Sequence, residues 1–257
     1  MNWKFINTGL NTGKYNMFFD IHLSEICKIN EAFFRVYRWE PYCISLGLNQ
    51  NNEAIDTAKT EYDKIDIVRR PTGGRAILHA EELTYSVVMP VVKNSSPQNI
   101  YKEINSALAL GLKIYDKKLS AVELENYQPN FREFYKDKKS DVCFAVSAKS
   151  ELKYKGLKLV GSAQHRFENI ILQHGSILCG DFHKKIINYL RISGEDRRLI
   201  LELLNQTADL YSITHKKIDY EHLVKSLKEG FELYYKMTFK NANIKDFSFI
   251  ENELSYS

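Results

Sequence analysis

Two spacings of apolar residues recur along this chain, and together they predict both strands and helices. A period of two, or a short apolar run between turn residues, is typical of a β-strand. Such runs predict strands over 4–7, 33–37, 42–47, 65–69, 76–79, 83–89, 150–154, 157–162 and 170–178. A spacing of three to four residues indicates a helix with one buried face. It predicts helices over 16–29, 52–60, 98–115, 182–190, 196–205 and 220–237.

The order of these elements predicts a fold of the α+β class. Strands and helices do not alternate strictly, and the final third of the chain carries only predicted helices. A polar segment over 127–141 interrupts the pattern, and we interpret it as an exposed loop. The length of 257 residues fits one large domain, or one domain with a small appendage.

Composition then narrows the class of protein. Hydrophobic residues make up 44% and charged residues 26%, which excludes disordered, collagen-like and coiled-coil chains. The net charge of +4, without a basic block, does not indicate a nucleic-acid partner. No run of about 18 apolar residues and no signal-peptide pattern occurs, so we expect no membrane association. Four cysteines without C-x-x-C spacing are typical of reduced thiols, which favours the cytoplasm.

Motifs for metals and nucleotides are absent from the sequence. The seven histidines form no H-E-x-x-H motif and no Cys/His cluster at zinc-ligand spacing, so we expect no metal site. Neither a phosphate-binding loop nor G-x-G-x-x-G occurs. A G-x-S-x-G nucleophile motif is absent as well.

One segment with potential ligand-binding chemistry is the run of residues 69–75. It places Arg69, Arg70 and Arg75 around the turn formed by Gly73 and Gly74, directly after a predicted strand. Three guanidinium groups and backbone N–H groups in a glycine turn can form a cradle for an anionic or strongly polar ligand. An ordinary turn with solvated arginines has the same pattern, so spacing alone leaves both interpretations open.

A second segment pairs a cysteine with a lysine. Cys143 is followed fifteen residues later by Lys158. A thiolate is the attacking species in acyl transfer, and a nearby ammonium group favours the thiolate. A lone cysteine is more often a small core residue, and a lone lysine in a hairpin is usually solvated. Spacing alone therefore leaves the catalytic interpretation open; Cys27, Cys43 and Cys179 fit core positions.

These segments, taken in order, resemble the biotin/lipoate protein ligase family, and specifically its octanoyltransferase branch. The matching segments are Asn16-Met17 with Asp20, Arg35-x-Tyr37-x-Trp39-x-Pro41, Ser45-x-Gly47-x-x-Gln50-Asn51, Arg69-Arg70-Pro71-Thr72-Gly73-Gly74-Arg75-x-x-x-His79, Glu82-Leu83-Thr84-Tyr85-Ser86-Val87, Val142-Cys143-Phe144, Lys158-x-Val160-Gly161-Ser162-Ala163-Gln164 and Gln173-His174-Gly175-Ser176-Ile177-Leu178. They cover about residues 3–180, and the ordered set is far more specific than any one motif.

The resemblance implies mixed, mostly antiparallel β-sheets flanked by helices, with an acyl chain bound beside the glycine loop. It implies one catalytic domain over 1–257, with a core at about 3–180 and a helical part at about 181–257. Cys143 is assigned as the acyl-accepting nucleophile and Lys158 as the family's lysine, which holds the acyl carbonyl. The implied substrate-binding residues are Arg69, Arg70, Gly73, Gly74, Arg75, His79, Gly161, Ser162, Gln164, His174 and Gly175.

The resemblance also implies a reaction. An octanoyl group passes from acyl carrier protein to the target lysine of a lipoyl-accepting protein, such as the glycine-cleavage H protein. Because the acyl group arrives as a thioester, no nucleotide or other cofactor is needed. We expect a cytoplasmic monomer whose mildly basic surface helps the encounter with acidic partners.

Three alternatives stay open. An ATP-dependent lipoate–protein ligase shares the fold and the lysine, and only that alternative requires ATP and magnesium. An amidotransferase would take octanoyl from the H protein and pass it to dehydrogenase subunits. A non-catalytic binder of lipoyl domains would have no reason to keep both Cys143 and Lys158. Two departures from the family pattern, His165 and Cys179, do not touch these assignments.

Overall fold

The structure, a computed structural model, describes residues 1–91, 95–126, 150–192, 194–242 and 247. Its strands are β1 (Asn2–Asn11), β2 (Glu31–Trp39), β3 (Cys43–Leu46), β4 (Asp66–Arg69), β5 (Ile77–His79), β6 (Glu82–Pro90), β7 (Val122–Leu124), β8 (Leu152–Tyr154), β9 (Leu157–Phe167), β10 (Ile170–Leu178) and β11 (Lys240–Asn241). Its α-helices are α1 (Gly13–Ile26), α2 (Thr57–Tyr62), α3 (Pro97–Tyr115), α4 (Gly194–Leu204), α5 (Leu210–Thr214) and α6 (Tyr220–Tyr235). Short 3₁₀-helices cover Asn52–Ala54, Lys117–Ala121 and Phe182–Tyr189.

Two β-sheets organise these elements and confirm the predicted α+β class. The larger sheet has eight strands in the order β11-β1-β2-β6-β10-β9-β8-β7. In this sheet β1 pairs in parallel with β2 and with β11. The other neighbouring strands, from β2 through β6, β10, β9 and β8 to β7, pair antiparallel. In the smaller sheet, β3 lies between parallel β4 and antiparallel β5. Both sheets are therefore mixed, most strand pairs in them are antiparallel, and helices flank the sheets.

Helix α3 shows how local sequence sets an element. Ser96 is its N-cap and accepts a hydrogen bond from the backbone N–H of Asn99 at 3.1 Å. Pro97 occupies the first helical position, where its missing N–H costs nothing. Ile104 and Leu108, spaced by four, are fully buried on the face toward the sheet. Capping and periodicity agree here, so the predicted helix over 98–115 is confirmed nearly to the residue.

Prediction and structure differ where an element is short or tightly wound. The predicted helix over 182–190 is a 3₁₀-helix, and the one over 52–60 divides into a 3₁₀ turn and α2. The structure adds α5, β7 and β11, which span only five, three and two residues. Elements of that length contain too few residues to show a period, and tertiary contacts stabilise them.

The main core lies between the large sheet and the pair α3 and α6. The rings of Phe34 on β2 and Phe231 on α6 stack with centroids 3.9 Å apart. The two helices approach closely because glycines face each other: a Cβ added to Gly230 would lie 2.3 Å from the backbone nitrogen of Gly111. The C-terminal helix α6 therefore packs on the same core as the predicted N-terminal part.

The opposite face of the large sheet carries α1 and the small sheet. Ile44 and Leu46 of β3 are buried in a second apolar cluster with residues of the 3₁₀-helix Phe182–Tyr189 and of α4. The glycine loop that follows β4 thus lies between the two sheets. This arrangement brings the glycine segment after β4 against the middle of β10.

Candidate active site

A cavity of about 30 Å³ lies between the two sheets, where most of the resemblance motifs meet. It is lined by Met17, Tyr37, Trp39, Ser45, Arg70, Ile77, His79, Thr84, Glu151, Lys158, Gly161, Ser162, Ala163, His174, Gly175 and Ser176. The lining crosses four adjacent strands, β9, β10, β6 and β2. These four strands span three spacings of about 4.8 Å, so the lining extends over roughly 14 Å of the sheet.

Lys158 lies at the β9 end of the cavity with its side chain only 4% exposed. Its Nζ is 3.0 Å from Oε2 of Glu151, which is equally buried. The second carboxylate oxygen of Glu151 accepts a hydrogen bond from the backbone N–H of Ser162 at 3.0 Å. A buried ammonium without a partner would be costly, and the pairing with Glu151 offsets part of that cost.

A neutral hydrogen-bond network surrounds Ser162 on the same strand. The hydroxyls of Ser162 and Tyr85 are 2.6 Å apart, and Gln173 donates to the Tyr85 oxygen at 3.0 Å. Gln164 donates to the side-chain oxygen of Gln173 at 3.3 Å. Burial raises the pKa of Tyr85, so its hydroxyl stays protonated. Gln164 thus supports the wall of the cavity and is absent from the lining itself.

The arginines of the glycine loop are used mainly to hold the loop together. Arg69 Nη1 donates to the carbonyls of Gly47 at 2.8 Å and Gln50 at 2.8 Å. Buried Arg70 donates to the carbonyls of Ser45 at 2.8 Å, Gly73 at 2.9 Å and Arg75 at 2.7 Å. Two of the three guanidinium groups thus bind backbone carbonyls, and the cradle for a ligand stays a prediction. Only Arg70 of the three lines the cavity.

The glycines of this loop have different roles. Gly74 adopts φ +94°, a left-handed conformation that favours glycine. A Cβ added to Gly47 would lie 1.9 Å from the carbonyl oxygen of Gly74, so the two loops touch through backbone alone. Gly73 is exposed, and a Cβ there would contact nothing within 4 Å. The backbone contact between the loops accounts for Gly47, which sequence reasoning did not select as a site residue.

His79 belongs to a buried chain of polar groups on the cavity wall. Its Nδ1 is 2.8 Å from Oε1 of Glu82, and its Nε2 is 2.7 Å from Oγ of Ser45. Burial opposes ionisation of Glu82, but His79 and its other hydrogen-bond partners lower the pKa of that carboxyl. The order Ser–His–Glu matches that of a hydrolase triad. Ser45 is fully buried, however, and its oxygen also accepts from Arg70 at 3.1 Å, so the chain supports the wall.

His174 joins the glycine loop to a second buried network. Its Nε2 is 2.7 Å from the hydroxyl of Thr72, and its Nδ1 is 3.2 Å from Oδ2 of Asp20. Burial lowers the pKa of His174, so the ring is neutral near pH 7. A neutral ring with these partners donates from Nδ1 to the carboxylate and accepts at Nε2. Asp20 in turn is held by Arg35, whose Nη1 lies 2.8 Å from Oδ1.

Gly175 lies next to His174 on β10, directly over β9. A Cβ at this position would lie 2.4 Å from the carbonyl oxygen of Gly161 and 2.9 Å from a ring carbon of Tyr85. A side chain would therefore push β9 away from β10, and with it Lys158. Glycine at this position allows the cavity wall to form.

The structure brings together most of the predicted site residues that it describes. Arg70, His79, Lys158, Gly161, Ser162, His174 and Gly175 line one cavity. Arg69, Gly73, Gly74, Arg75 and Gln164 lie outside that lining. Cys143 lies outside the described residues.

Glu151 is a charged lining residue that sequence reasoning missed. The signal for it was present, because the predicted hairpin of 150–154 with 157–162 folds residue 151 back toward the strand of Lys158. Met17, Tyr37 and Trp39 were noted only as motif residues, and they form the apolar end of the cavity.

The three described cysteines are poor nucleophiles. Burial raises the pKa of Cys27 to about 12, and it raises the pKa of Cys43 and of Cys179 well above the ordinary value. A thiol with a raised pKa carries little thiolate at neutral pH. Their interpretation as structural residues fits these surroundings.

Two further findings concern metal sites and membrane spans in the described part of the chain. Within 1–91, 95–126, 150–192, 194–242 and 247, no group of three or more His, Cys, Asp or Glu could hold a metal ion. In the same part of the chain, no helix is long and apolar enough to cross a membrane.

This chain is similar in sequence to known proteins. The chain matches the model of the lipoyl protein ligase A/B catalytic domain over residues 13–232. It belongs to this family. As a family member it has relatives named octanoyltransferase LipM: that of Macrococcus caseolyticus is 34% identical, with 90% of this chain and 86% of the relative covered. The relative from Staphylococcus aureus is 32% identical over 98% of this chain and 92% of its own length.

Solved structures of family members share the fold. Lipoate-protein ligase A bound with ATP superposes with a TM-score of 0.75 at 16% identity, covering 98% of this chain and 94% of the ligase. A bipartite lipoate protein ligase from Thermoplasma acidophilum gives 0.74 at 16% identity, covering 98% and 91%. At this level of identity the likeness concerns the fold alone.

Proposed function

We propose that this protein is an octanoyltransferase of protein lipoylation. It takes octanoyl from acyl carrier protein and transfers it to the lipoyl lysine of an acceptor such as the glycine-cleavage H protein. The observation that carries this proposal is the match to relatives named octanoyltransferase LipM over 86% and 92% of their lengths. The cavity supports it, because the buried lysine that the family resemblance singles out lies in its lining.

Cys143 is the proposed acyl-accepting nucleophile. Burial makes the three described thiols poorly reactive, which leaves Cys143 as the candidate. It precedes Ser150 by seven positions in the sequence, and Ser150 directly precedes Glu151 of the cavity wall. An extended chain of that length spans at most about 25 Å, so connectivity permits Cys143 to reach the cavity.

The first half of the proposed reaction makes an octanoyl-cysteine thioester. The Cys143 thiolate attacks the thioester carbonyl carbon of octanoyl-acyl carrier protein, and a new carbon–sulfur bond forms. Lys158 stabilises the negative charge that develops on the carbonyl oxygen. The original carbon–sulfur bond then breaks, and the leaving phosphopantetheine thiolate takes up the proton that Cys143 released.

The second half transfers the acyl group to the acceptor. A neutral lysine amine of the lipoyl domain attacks the same carbonyl carbon, a carbon–nitrogen bond forms, and Cys143 leaves as thiolate. The amine proton passes to that sulfur, which restores the free enzyme. Exchange between two thioesters is nearly isoenergetic and amide formation is downhill, so the reaction consumes no nucleotide and requires no cofactor.

The remaining assignments belong to the same proposal. Residues of the cavity wall, including His79, His174 and Gly175, would bind the acyl chain and its carbonyl, with the chain directed toward Met17 and Trp39. The protein would act in the cytoplasm as a monomer with a single catalytic domain. Its net charge of +4 would favour encounters with acidic donor and acceptor proteins.

The proposal is tested by intact-mass analysis. The protein is incubated with octanoyl-acyl carrier protein in the absence of ATP. We expect one octanoyl adduct on the wild-type chain, no adduct on Cys143→Ala, and an unchanged adduct on Cys27→Ala, the matched cysteine control. Addition of unmodified H protein should consume the adduct and yield octanoylated acceptor.

The ligase alternative predicts a different result. If the wild-type chain forms no adduct, but lipoate with ATP and magnesium modifies the acceptor, the protein is a ligase and the proposed transfer is wrong. If Cys143→Ala still forms the adduct, another nucleophile carries the acyl group and the assignment of Cys143 fails.

A further inference from the structure

A short segment of the C-terminal part of the chain lies against the backbone of Lys158. This bridging segment, residues 206–208 between α4 and α5, forms a parallel β-bridge in which Thr207 pairs with Lys158. The N–H of Lys158 donates to the carbonyl of Gln206 at 2.9 Å, and the carbonyl of Lys158 accepts from the N–H of Ala208 at 2.9 Å. Both backbone hydrogen-bonding groups of the lysine are therefore bound by the bridging segment.

The bridging segment pairs with β9 at a point that β10 does not reach. Strand β10 pairs with β9 only as far as Ile177, which lies opposite Val160. Beyond that pair, the N–H of Cys179 donates instead to the carbonyl of Glu81, in the turn between β5 and β6, at 2.9 Å. Lys158 thus lies beyond the last pair of the two strands, and the bridging segment supplies the hydrogen bonds that a longer β10 would make.

An irregularity in the register decides the face of β9 on which Lys158 lies. Consecutive residues of β8 lie opposite Val160 and Lys158, so Leu159 between them is an extra residue in β9. Side chains alternate between the two faces of a strand, and an extra residue reverses the alternation. Leu159 and Val160 are accordingly both buried in the main core, while Lys158 lines the cavity together with Gly161. The lysine therefore reaches the cavity through a local bulge that regular pairing would remove.

Side-chain contacts fix the bridging segment in turn. Thr207 is buried, and its hydroxyl donates to the carbonyl of Leu204, the last residue of α4, at 2.6 Å. Nε2 of buried His183 lies 3.0 Å from the same hydroxyl oxygen. At the following residue, the carboxylate of Asp209 caps α5 and accepts from the N–H of Ser212 at 2.8 Å. The central contact of the segment is thus the hydroxyl of Thr207.

We propose that the bridging segment positions Lys158 in the cavity, with Thr207 as the positioning residue. The two backbone hydrogen bonds stabilise the bulge of β9, and the hydroxyl of Thr207 holds the segment that supplies them. This inference rests on the proposed octanoyl transfer for the role of Lys158. It adds a role for the helical C-terminal part of the chain, for which no motif in the sequence predicted one.

The test removes the hydroxyl of Thr207 and leaves the backbone in place. Thr207→Val keeps the shape of the side chain without the hydroxyl, and Thr207→Ser keeps the hydroxyl. The measurement is the single-turnover rate of adduct formation at several concentrations of octanoyl-acyl carrier protein, which separates the maximal rate from the half-saturating concentration. Urea unfolding of each variant gives its stability.

Tyr189→Phe is the matched control. It also removes one hydroxyl, which donates to Asp63 at 2.9 Å. The next residue, Leu190, forms another isolated β-bridge, with Ile55, that links the C-terminal part to the N-terminal part. None of these four residues lines the cavity. The control therefore weakens a comparable contact of the C-terminal part at a distance from Lys158.

We expect Thr207→Val to lower the maximal rate about 10- to 100-fold, because a shift of about 1 Å in a catalytic group costs up to about 100-fold. The half-saturating concentration should stay within about 2-fold of the wild type, since the residues that bind the acyl chain are unchanged. Thr207→Ser should restore the rate. Tyr189→Phe should lose stability to a similar extent, as expected for one hydrogen bond, and keep the wild-type rate.

Hydrogen exchange tests the positioning without any reaction. The amide of Lys158 should be protected in the wild-type chain, because it donates to Gln206. We expect it to exchange about 10-fold faster or more in Thr207→Val, and at the wild-type rate in Tyr189→Phe, because only the first variant loosens the bridging segment. An unprotected Lys158 amide in the wild-type chain would overturn the inference even if Thr207→Val failed to fold.

Two kinetic results would also overturn the inference. One is a wild-type rate in Thr207→Val. The other is an equal loss of rate in Tyr189→Phe, because that pattern indicates a general effect of stability. If the wild-type chain forms no adduct, the proposed function fails, and the exchange of the Lys158 amide alone then decides whether the bridging segment holds this residue.

Discussion

The buried carboxylate of Asp20 allows a quantitative prediction about the hydrogen-bond network around its side chain. Its two oxygens are contacted by Arg35 Nη1 at 2.8 Å, Ser86 Oγ at 2.7 Å, Tyr37 Oη at 3.0 Å and His174 Nδ1 at 3.2 Å. The side chains of Asp20 and Arg35 are fully buried. We predict that Asp20→Asn leaves the Arg35 charge without compensation and turns an acceptor into a donor.

The expected magnitude follows from that burial. Removing one partner of a buried ion pair costs about 3–5 kcal/mol. In a chain of this size, 1 kcal/mol corresponds to about 2–4 °C in Tm, so Asp20→Asn should lower Tm by roughly 6–20 °C. Urea unfolding followed by circular dichroism measures the loss directly. Glu202→Gln is the matched control, because its exposed pair with Arg198 should change stability by less than about 0.5 kcal/mol.

The pH dependence of this loss has a definite sign. Burial alone would raise the pKa of Asp20, but Arg35 and the hydrogen bonds from His174 and Ser86 hold it below the ordinary value of 3.8. A lowered pKa in the folded state contributes stability that is present above the unfolded value and lost as pH falls through the folded value. The difference between wild type and Asp20→Asn should therefore be constant near neutrality and narrow below 3.8.

Two results would refute this reasoning. A loss below about 1 kcal/mol near neutral pH would mean that the network can repack around a neutral amide. A difference that does not narrow in acid would mean that the charge of Asp20 is not its source. The double variant Asp20→Asn with Arg35→Met should lose less than the sum of the single losses, because the two residues interact.

Two glycine substitutions test close backbone contacts. Gly175→Ala places a Cβ 2.4 Å from the carbonyl oxygen of Gly161, so we expect a loss of about 1–3 kcal/mol in urea unfolding and slower adduct formation. Gly230→Ala places a Cβ 2.3 Å from the nitrogen of Gly111, so a similar loss should occur without a change in the single-turnover rate of the folded fraction. Gly194→Ala, where a Cβ meets nothing within 4 Å, is the control for both; wild-type stability in either test variant would contradict the packing described.

Periodicity and motifs predicted much of the local structure. Helix α3 was predictable because a cap, a proline and a four-residue apolar spacing agree along one stretch of chain. The β9–β10 hairpin was predictable for a similar reason, since its strands are adjacent in sequence and its apolar runs are long. The family resemblance allowed Lys158 and His174 to be selected before any geometry was known.

Other features depended on contacts that form only when the chain folds. The guanidinium groups of Arg69 and Arg70 bind carbonyls of the 45–50 segment and of their own loop, and the composition of a glycine turn cannot reveal that use. Glu151 became a site residue only when the hairpin folded it against Lys158. In the same way, His174 reaches Asp20 across 154 residues of sequence.

The sequence by itself determined the class of fold, the helices and strands with a clear period, and the family to which the chain is similar. These follow from local periodicity and from motifs that are written in the chain. Only the tertiary structure decided which polar side chains form hydrogen bonds or ion pairs within the protein and which of them line the cavity. The physical reason is that burial and hydrogen-bond partners are properties of packing: an arginine or a glutamate has the same chemistry in every sequence, and its neighbours decide what that chemistry does.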